Sequence, residues 1–302
     1  MTEWNNPIAV RFIKYMGINP IDALKKEANY LLKSTNQLTS SSIFREVDVD
    51  KIAEFLRLKN ENYIYSNKIS SAGQITESES HKTEIELNPE KSTFAYYRHR
   101  FVIAHEIGHW IIRTKISNVF NEEETYLINK FRFEEELLCH LFASELLMPE
   151  KIFNSYIQNE VLNEPLINKI YRFFKVPDYQ IINRCLLLNS KLIGIYWKKK
   201  ISDTSKREEL RVLNFYPDSR IRENPFIPIN ATAKTDRFIP NLILKSYKQK
   251  ESLNGKITIK NFGDIKGNFE IFVFNPIEKD TLFFADQIYS RKFDLITVLK
   301  KL

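Results

Sequence analysis

The sequence predicts an α+β protein: a mainly helical first part with a small β-sheet, followed by a β-rich C-terminal region. Three observations carry this. Apolar residues recur at helical spacing through most of residues 1–190, short alternating runs interrupt them between about 62 and 88, and β-branched and aromatic runs dominate after Ser190. At 302 residues, 43% apolar and 13% aromatic, the chain can bury a substantial core and is long enough for two domains of ordinary size.

In chain order, "INPIDALKKEANYLLK" opens on a turn-forming Asn19-Pro20 and continues with apolar residues at helical spacing. The polar "STNQLTSSS" separates it from "VDVDKIAEFLRL", a short amphipathic helix that Asp48 can cap. "NYIYS" and "SAGQITESESHKTEIELNPE" read as strands, Ile85 and Leu87 alternating with glutamates before an Asn-Pro turn. A helix is expected from about Ser92 to Lys115. An acidic connector containing "NEEE" leads to a second apolar helix, "RFEEELLCHLFASELLM", stopped by Pro149. "INKIYRFFKVPDYQIINRCLLLN" suits two short helices around Val176-Pro177. Beyond Ser190, "KLIGIYW", "LRVLNFY", "KITIKNF" and "FEIFVFN" are strands broken by Gly, Pro, Asn and Asp. The expected organisation is an N-terminal helical segment (1–40), a core domain (41–150), a small helix-turn-helix-like segment (151–190) and a basic β-rich domain (191–302).

Residues 100–115, "RFVIAHEIGHWIIRTK", place His105, Glu106 and His109 in an apolar run of a chain with only five histidines. Residues four apart on a helix differ by about 40° around its axis, so both imidazoles point the same way and can bind one cation. Glu106, about 100° from His105, can reach a metal-bound water without being a ligand. Two neutral imidazoles on a metal beside a carboxylate that shuttles a proton suit metal-assisted peptide hydrolysis. Ile103, Ile107, Trp110 and Ile111 back the helix into the core, and Gly108 allows another element to approach closely. Buried histidines can also be structural, each satisfied by one hydrogen bond; the helical context favours metal.

A catalytic zinc takes three protein ligands, and "FEEELLCHLFASELLMP" is the best source of the third. Glu136 shares a stripe with Cys139, His140, Ala143 and Leu147, whose small members would let this helix lie close to the first. Periodicity alone does not choose Glu136 over Glu134, Glu135 or His140.

Taken in order, "VDVDKIAEFLRL", "RFVIAHEIGHWII" and "EELLCHLFASELLMP" resemble the ImmA/IrrE family of gluzincin-like bacterial metallo-endopeptidases over roughly residues 40–190. The family pattern is a valine- and aspartate-rich helix start, an Arg-Phe-x-x-Ala-His-Glu-x-x-His helix and a Glu-x-x-Ala-Asn-x-Phe-Ala-x-x-Leu-Leu-Met-Pro helix. The resemblance implies a zincin-like peptidase domain, Zn²⁺ on His105, His109 and Glu136, and Glu106 as catalytic base. It also implies cleavage of a helix-turn-helix repressor in a stress, mobile-element or phage-defence response, with residues 190–302 regulatory or sensory by analogy. Cys139 and His140 replace the family's usual alanine and asparagine. His140 is expected to orient Glu136 or simply to pack, and Cys139 to be an inert buried thiol.

The rival reading is a non-proteolytic regulator. Residues 191–302 hold 22 Lys and Arg against 13 Asp and Glu, while residues 1–190 hold 23 against 25, so the net charge of +7 belongs to the C-terminal region. That balance suits nucleic acid or another acidic partner, or a solvated surface. Rings interleaved with cations in "YWKKK", "RVLNFYPDSRIR", "SYKQK" and "YSRKF" fit a single-stranded nucleic-acid groove, or a sheet's core face. An intact Glu106 argues for the enzyme.

His99, Tyr96 and Tyr97 lie near the functional side of the helix, but His99 is expected to be a surface histidine and no oxyanion stabiliser is assigned. "ESESHKTE", with a solvent-facing His81, is a candidate substrate-aligning edge strand, and "NEEETYL" is expected to be a solvated loop. Nucleotide hydrolysis is excluded for want of a glycine-rich phosphate loop. No apolar run approaches the roughly 20 residues of a membrane span, no signal peptide is visible, and two cysteines suit a reducing cytoplasm, so no membrane partner is expected.

Overall fold

The computed structural model describes residues 3–37, 46–59, 62–77, 82–92, 96–158, 160–201, 208–219, 221, 240–275 and 295–302. Two helices open the chain, α1 (Pro7–Met16) and α2 (Pro20–Ser34). Each begins with an asparagine cap followed by proline: Asn6 accepts from the backbone N–H of Ile8 and Ala9, and Asn19 from that of Ile21. Gly17, at φ +63°, closes α1 in the left-handed conformation that glycine adopts without cost. Helix α3 (Val49–Phe55) is capped by Asp48, as the sequence predicts.

A three-stranded sheet follows, with β1 (Ile64–Tyr65), β2 (Gly73–Glu77) and β3 (Thr83–Leu87) in the order β1-β3-β2. β1 runs parallel to the central β3 and β2 antiparallel to it, Ile75 opposite Ile85. Ile85 and Leu87 are buried, as their alternation requires. The short α4 (Pro89–Ser92) leads into α5 (Tyr96–Thr114). Next come α6 (Glu122–Lys130), α7 (Arg132–Leu147), α8 (Glu150–Ile157), α9 (Glu164–Phe174) and α10 (Asp178–Leu188).

Helix α6 departs from expectation, because the "NEEETYL" stretch is helical. Asn121 and Glu124 form a reciprocal capping box, and three first-turn glutamates favour the positive end of the helix dipole. The pair around Val176-Pro177 forms as predicted. Buried Arg100 of α5 ties it down, donating to the carbonyls of Phe174 (2.9 Å) and Lys175 (2.6 Å) while its other arm reaches that of Val47 (2.5 Å).

The C-terminal region is a five-stranded antiparallel sheet with strand order β5-β4-β8-β7-β6. Its strands are β4 (Leu192–Ile201), β5 (Glu208–Tyr216), β6 (Leu253–Phe262), β7 (Ile265–Phe274) and β8 (Leu295–Lys301), and α11 (Pro240–Gln249) precedes β6. Its two faces enter different cores. Leu192, Tyr196, Phe272, Phe274, Ile296 and Val298 join the apolar cluster of the helical part. Ile195, Trp197, Ile271, Val273, Leu295 and Leu299 form a second cluster with Ile243 of α11. This is the period of two expected of strands covered on both faces, each fully buried side chain contributing on the order of 1.5–3 kcal/mol. Gly194 permits the join, since a Cβ there would lie 2.4 Å from Leu186 of α10.

The aromatic residues of "YWKKK" are therefore core. Tyr196 and Trp197 are buried on opposite faces, and the Trp197 indole donates to Thr297 Oγ1 at 2.9 Å. Tyr247 of "SYKQK" packs on the second cluster. "YSRKF" and His81 lie outside the described residues. Among the described residues no helix is long and apolar enough to cross a membrane.

Candidate metal centre

Helix α5 buries Ile103, Ile107 and Ile111 and half-buries Trp110, as its periodicity demands, and it buries His105, Glu106 and His109 as well. Those three are enclosed because α7 lies directly against them. A Cβ on Gly108 would stand 3.2 Å from the Cα of Cys139 and 3.2 Å from a ring carbon of Phe142, so the glycine sets how closely the helices approach. The small Cys139 and Ala143, both fully buried, complete the fit.

This contact brings the first turns of α7 beside the imidazoles, and the three consecutive glutamates take different tasks. Glu134 turns to the N-terminal segment, where Oε2 accepts from the backbone N–H of Asn5 (2.6 Å) and Asn6 (2.7 Å). Glu135 accepts from His109 Nδ1 at 2.9 Å and from Arg113 Nε at 2.8 Å. Glu136 faces both imidazoles, with Oε2 3.0 Å from His105 Nε2 and Oε1 3.5 Å from His109 Nε2. The alternatives left open by periodicity are thus separated by geometry: Glu136 alone of the three stands between the two Nε2 atoms.

Electrostatics follow from enclosure. Burial alone would raise the Glu135 carboxyl, but the His109 and Arg113 hydrogen bonds outweigh it and hold the group at about 2. Burial likewise opposes ionisation of Glu136, and the facing His109 and His105 reverse that, keeping it well below the ordinary carboxylate range. Burial raises Glu106, the two histidines only partly offsetting it. The Cys139 thiol is pushed up to about 12 by burial, which suits an inert cysteine.

These donors fit a divalent cation. Two imidazole nitrogens and a carboxylate converge in a buried site, and among the described residues the enclosed Glu136 Oε1 makes no hydrogen bond, Arg132 Nε standing 3.5 Å away. Among the described residues two groups of ligand-competent side chains share His105: His105, His109 and Cys139, and His105, Glu136 and His140, with the ligand atoms of each within 4.8 Å. His105, His109 and Glu136 span the two groups. His140 donates from Nδ1 to the backbone carbonyl of Glu136 at 2.7 Å and sets its ring edge against His105. Burial, and then the neighbouring His105, lowers His140 to about 3.

Glu106 is overlaid by the start of β2. A Cβ on Gly73 would lie 2.7 Å from Val102 Cγ1, 3.1 Å from Glu106 Cγ and 3.2 Å from Glu106 Oε1. Gly73→Ala is expected to displace β2 or the Glu106 carboxylate, costing about 1–3 kcal/mol. Thermal melting together with metal analysis checks this: the melting temperature falls while metal content is retained.

His99 corrects its surface assignment. It is half-buried, meets Tyr63 edge-on at 6.1 Å, and its imidazole is shifted downward by burial. Tyr63 is itself anchored to Asp50 at 2.7 Å. Tyr96 donates to Glu46 at 2.6 Å and Tyr97 packs on Tyr171, so both tyrosines serve contacts at the start of α5. Sequence reasoning missed the Glu135–Arg113 pair; its one available signal was Arg113 four residues after His109, on the same helix face.

A profile of the IrrE N-terminal-like domain, in the peptidase M78 family, matches residues 67–186. Residues 67–186 are thus similar to that domain. The matched span starts later than the residue of about 40 at which the sequence resemblance begins, and it contains α5, α7 and every residue placed at the centre above. The match supports a metallopeptidase-like function. Among solved structures, a Mycobacterium tuberculosis transcriptional regulator is similar, with a TM-score of 0.54 at 11% identity, covering 98% of this chain and 93% of that one. At that identity the likeness is one of fold alone; the chain's own fold is an α+β zincin-like domain followed by a β-rich region. No curated protein sequence matches the chain.

Proposed function

We propose that the chain is a zinc-dependent endopeptidase that cleaves a specific regulatory protein in the cytoplasm. The observation that carries this is the buried convergence of His105 Nε2 and His109 Nε2, from the helix that also carries Glu106, with the Glu136 carboxylate of α7. His105, His109 and Glu136 would hold the ion. Bound zinc would supply Lewis acidity, polarising the scissile carbonyl and lowering the pKa of water. Glu106 takes the proton of the attacking water on a carboxylate oxygen and returns it to the leaving amine. The close packing of α5 on α7 excludes bulk water and holds the donors in place. The substrate in this reading is a helix-turn-helix repressor whose loss switches on a stress, mobile-element or phage-defence programme. The β-rich region, roughly 191–302, regulates the enzyme, and 151–190 is the helical segment joining it to the core of 41–150.

A second reading, a non-proteolytic regulator, draws on the basic C-terminal charge and on the name of the similar solved protein, a transcriptional regulator. In it, residues 191–302 bind nucleic acid or a partner protein and the metal is structural. Metal analysis of the purified chain is the first test. About one zinc per chain is expected, falling sharply in His105→Ala and Glu136→Ala. Zinc retained without Glu136 would move the third donor to His140. A folded chain that takes up no metal would sink the enzyme and leave the regulator.

A further inference from the structure

We propose that Glu135, braced by Arg113, is the positioning residue for His109: its carboxylate fixes the ring so that Nε2 is the nitrogen presented to the metal. This rests on the metal reading above and goes beyond it, because it assigns a task to two residues outside the ligand set.

Three contacts carry the inference. His109 Nδ1 lies 2.9 Å from Glu135 Oε1; Arg113 Nε meets the same oxygen at 2.8 Å; Arg113 Nη2 reaches Oε2 at 3.2 Å. Glu135 is 1% exposed, so no bulk water competes for its oxygens, whereas half of the Arg113 side chain remains in solvent. One guanidinium thus pins both carboxylate oxygens, and the carboxylate in turn accepts the imidazole N–H. An imidazole that donates its Nδ1 hydrogen to a carboxylate keeps the Nε2 lone pair for a cation, and it becomes a better donor through that atom. Glu134 and Glu136 cannot substitute. Successive residues differ by about 100° around the helix, and these two are committed to the Asn5–Asn6 backbone and to the Nε2 atoms.

The two histidines are therefore unequal. Among the described residues His105 has no counterpart to Glu135, its Nδ1 being buried without a hydrogen-bond partner. His109 is the donor whose ring a carboxylate orients. The competing role for Glu135 is a plain ion pair with Arg113 that clips α5 to α7. That role would move stability and leave the imidazole untouched.

The test uses the full-length chain and three readouts: the zinc dissociation constant by competition with a chelator, the melting temperature of the metal-free protein, and the proton resonance of the His109 ring N–H in the zinc-loaded protein. In Glu135→Gln, zinc is expected to bind roughly 10- to 100-fold more weakly, with the ring proton moved upfield as its acceptor loses charge. Arg113→Ala, which leaves the carboxylate beside the ring, is expected to weaken zinc less than Glu135→Gln does. Glu135→Asp withdraws the carboxylate by one methylene while keeping its charge, and it should show the same loss if Glu135→Gln folds poorly. Unchanged zinc affinity and an unmoved ring proton in both Glu135 variants would overturn the inference and leave the ion-pair role. A folded wild-type chain that binds no zinc would instead overturn the metal reading and this inference with it, an outcome recognised before any variant is made.

Discussion

Glu106→Gln is expected to lower cleavage of the partner protein by at least about a hundredfold while leaving the bound metal in place. The amide has the size and shape of the carboxylate, so the packing under Gly73 and beside Val102 survives. What is lost is an oxygen able to accept a proton from water. Burial raises Glu106 above the ordinary carboxylate range, which brings a general base closer to neutrality and makes it more effective there. Retention of metal is expected because Glu106 is absent from both ligand-competent groups around His105. The measurement is mass spectrometry of a partner incubated with each form, with metal content determined on the same samples. Cleavage at the wild-type rate would remove Glu106 from the mechanism. Cleavage and metal lost together would make Glu106 a ligand.

The two helices that build this site were legible because their signal is local. Four-residue spacing of His105 and His109, the isoleucines behind them, and Pro149 after Met148 are properties of short stretches, and α5 and α7 form close to where those stretches predict. The choice among Glu134, Glu135 and Glu136 was not local. It depends on the rotation of α7 about its own axis, which is set by the seating of Cys139 and Phe142 on Gly108, residues more than thirty positions apart in some pairs. His99 is half-buried for a similarly non-local reason: its ring meets Tyr63, thirty-six positions earlier in the chain.

Charge misled elsewhere. Helix α6 was taken for a solvated connector because consecutive glutamates outweighed the Asn121–Glu124 capping box. "LITVLKK", basic at its end, is β8, the central strand between β4 and β7, with Leu295 to Leu299 buried in succession because both faces are covered. The aromatic rings beside "KKK" show the converse. A ring next to three lysines looks like a binding platform in sequence, but strand alternation puts Tyr196 and Trp197 into opposite cores.

The largest expected loss of stability lies at the other end of α7. Arg184 of α10 is 1% exposed; its Nη2 donates to Glu145 Oε2 and its Nε to the carbonyl of Met148 at 3.1 Å. The other oxygen of Glu145 accepts from the backbone N–H of Glu150 at 3.1 Å. The pair therefore closes the "LLMP" turn at the end of α7 and fastens α10 to it, in a place where neither charge can turn to water. Glu145→Ala is expected to cost about 3–5 kcal/mol, because it strands a buried guanidinium rather than merely deleting an attraction. Replacing both partners with apolar residues, Glu145→Met with Arg184→Leu, should recover much of that loss, since the desolvation cost of both charges disappears together. Urea unfolding of the single and double variants decides it. A loss below about 1 kcal/mol in Glu145→Ala would mean that the guanidinium finds water after all. Glu145 stands nine residues beyond Glu136, more than two helical turns away, so whatever remains folded should bind metal at the wild-type ratio. An effect on metal in the folded fraction would instead show that the end of α7 governs its rotation, and with it the choice of which glutamate faces the histidines.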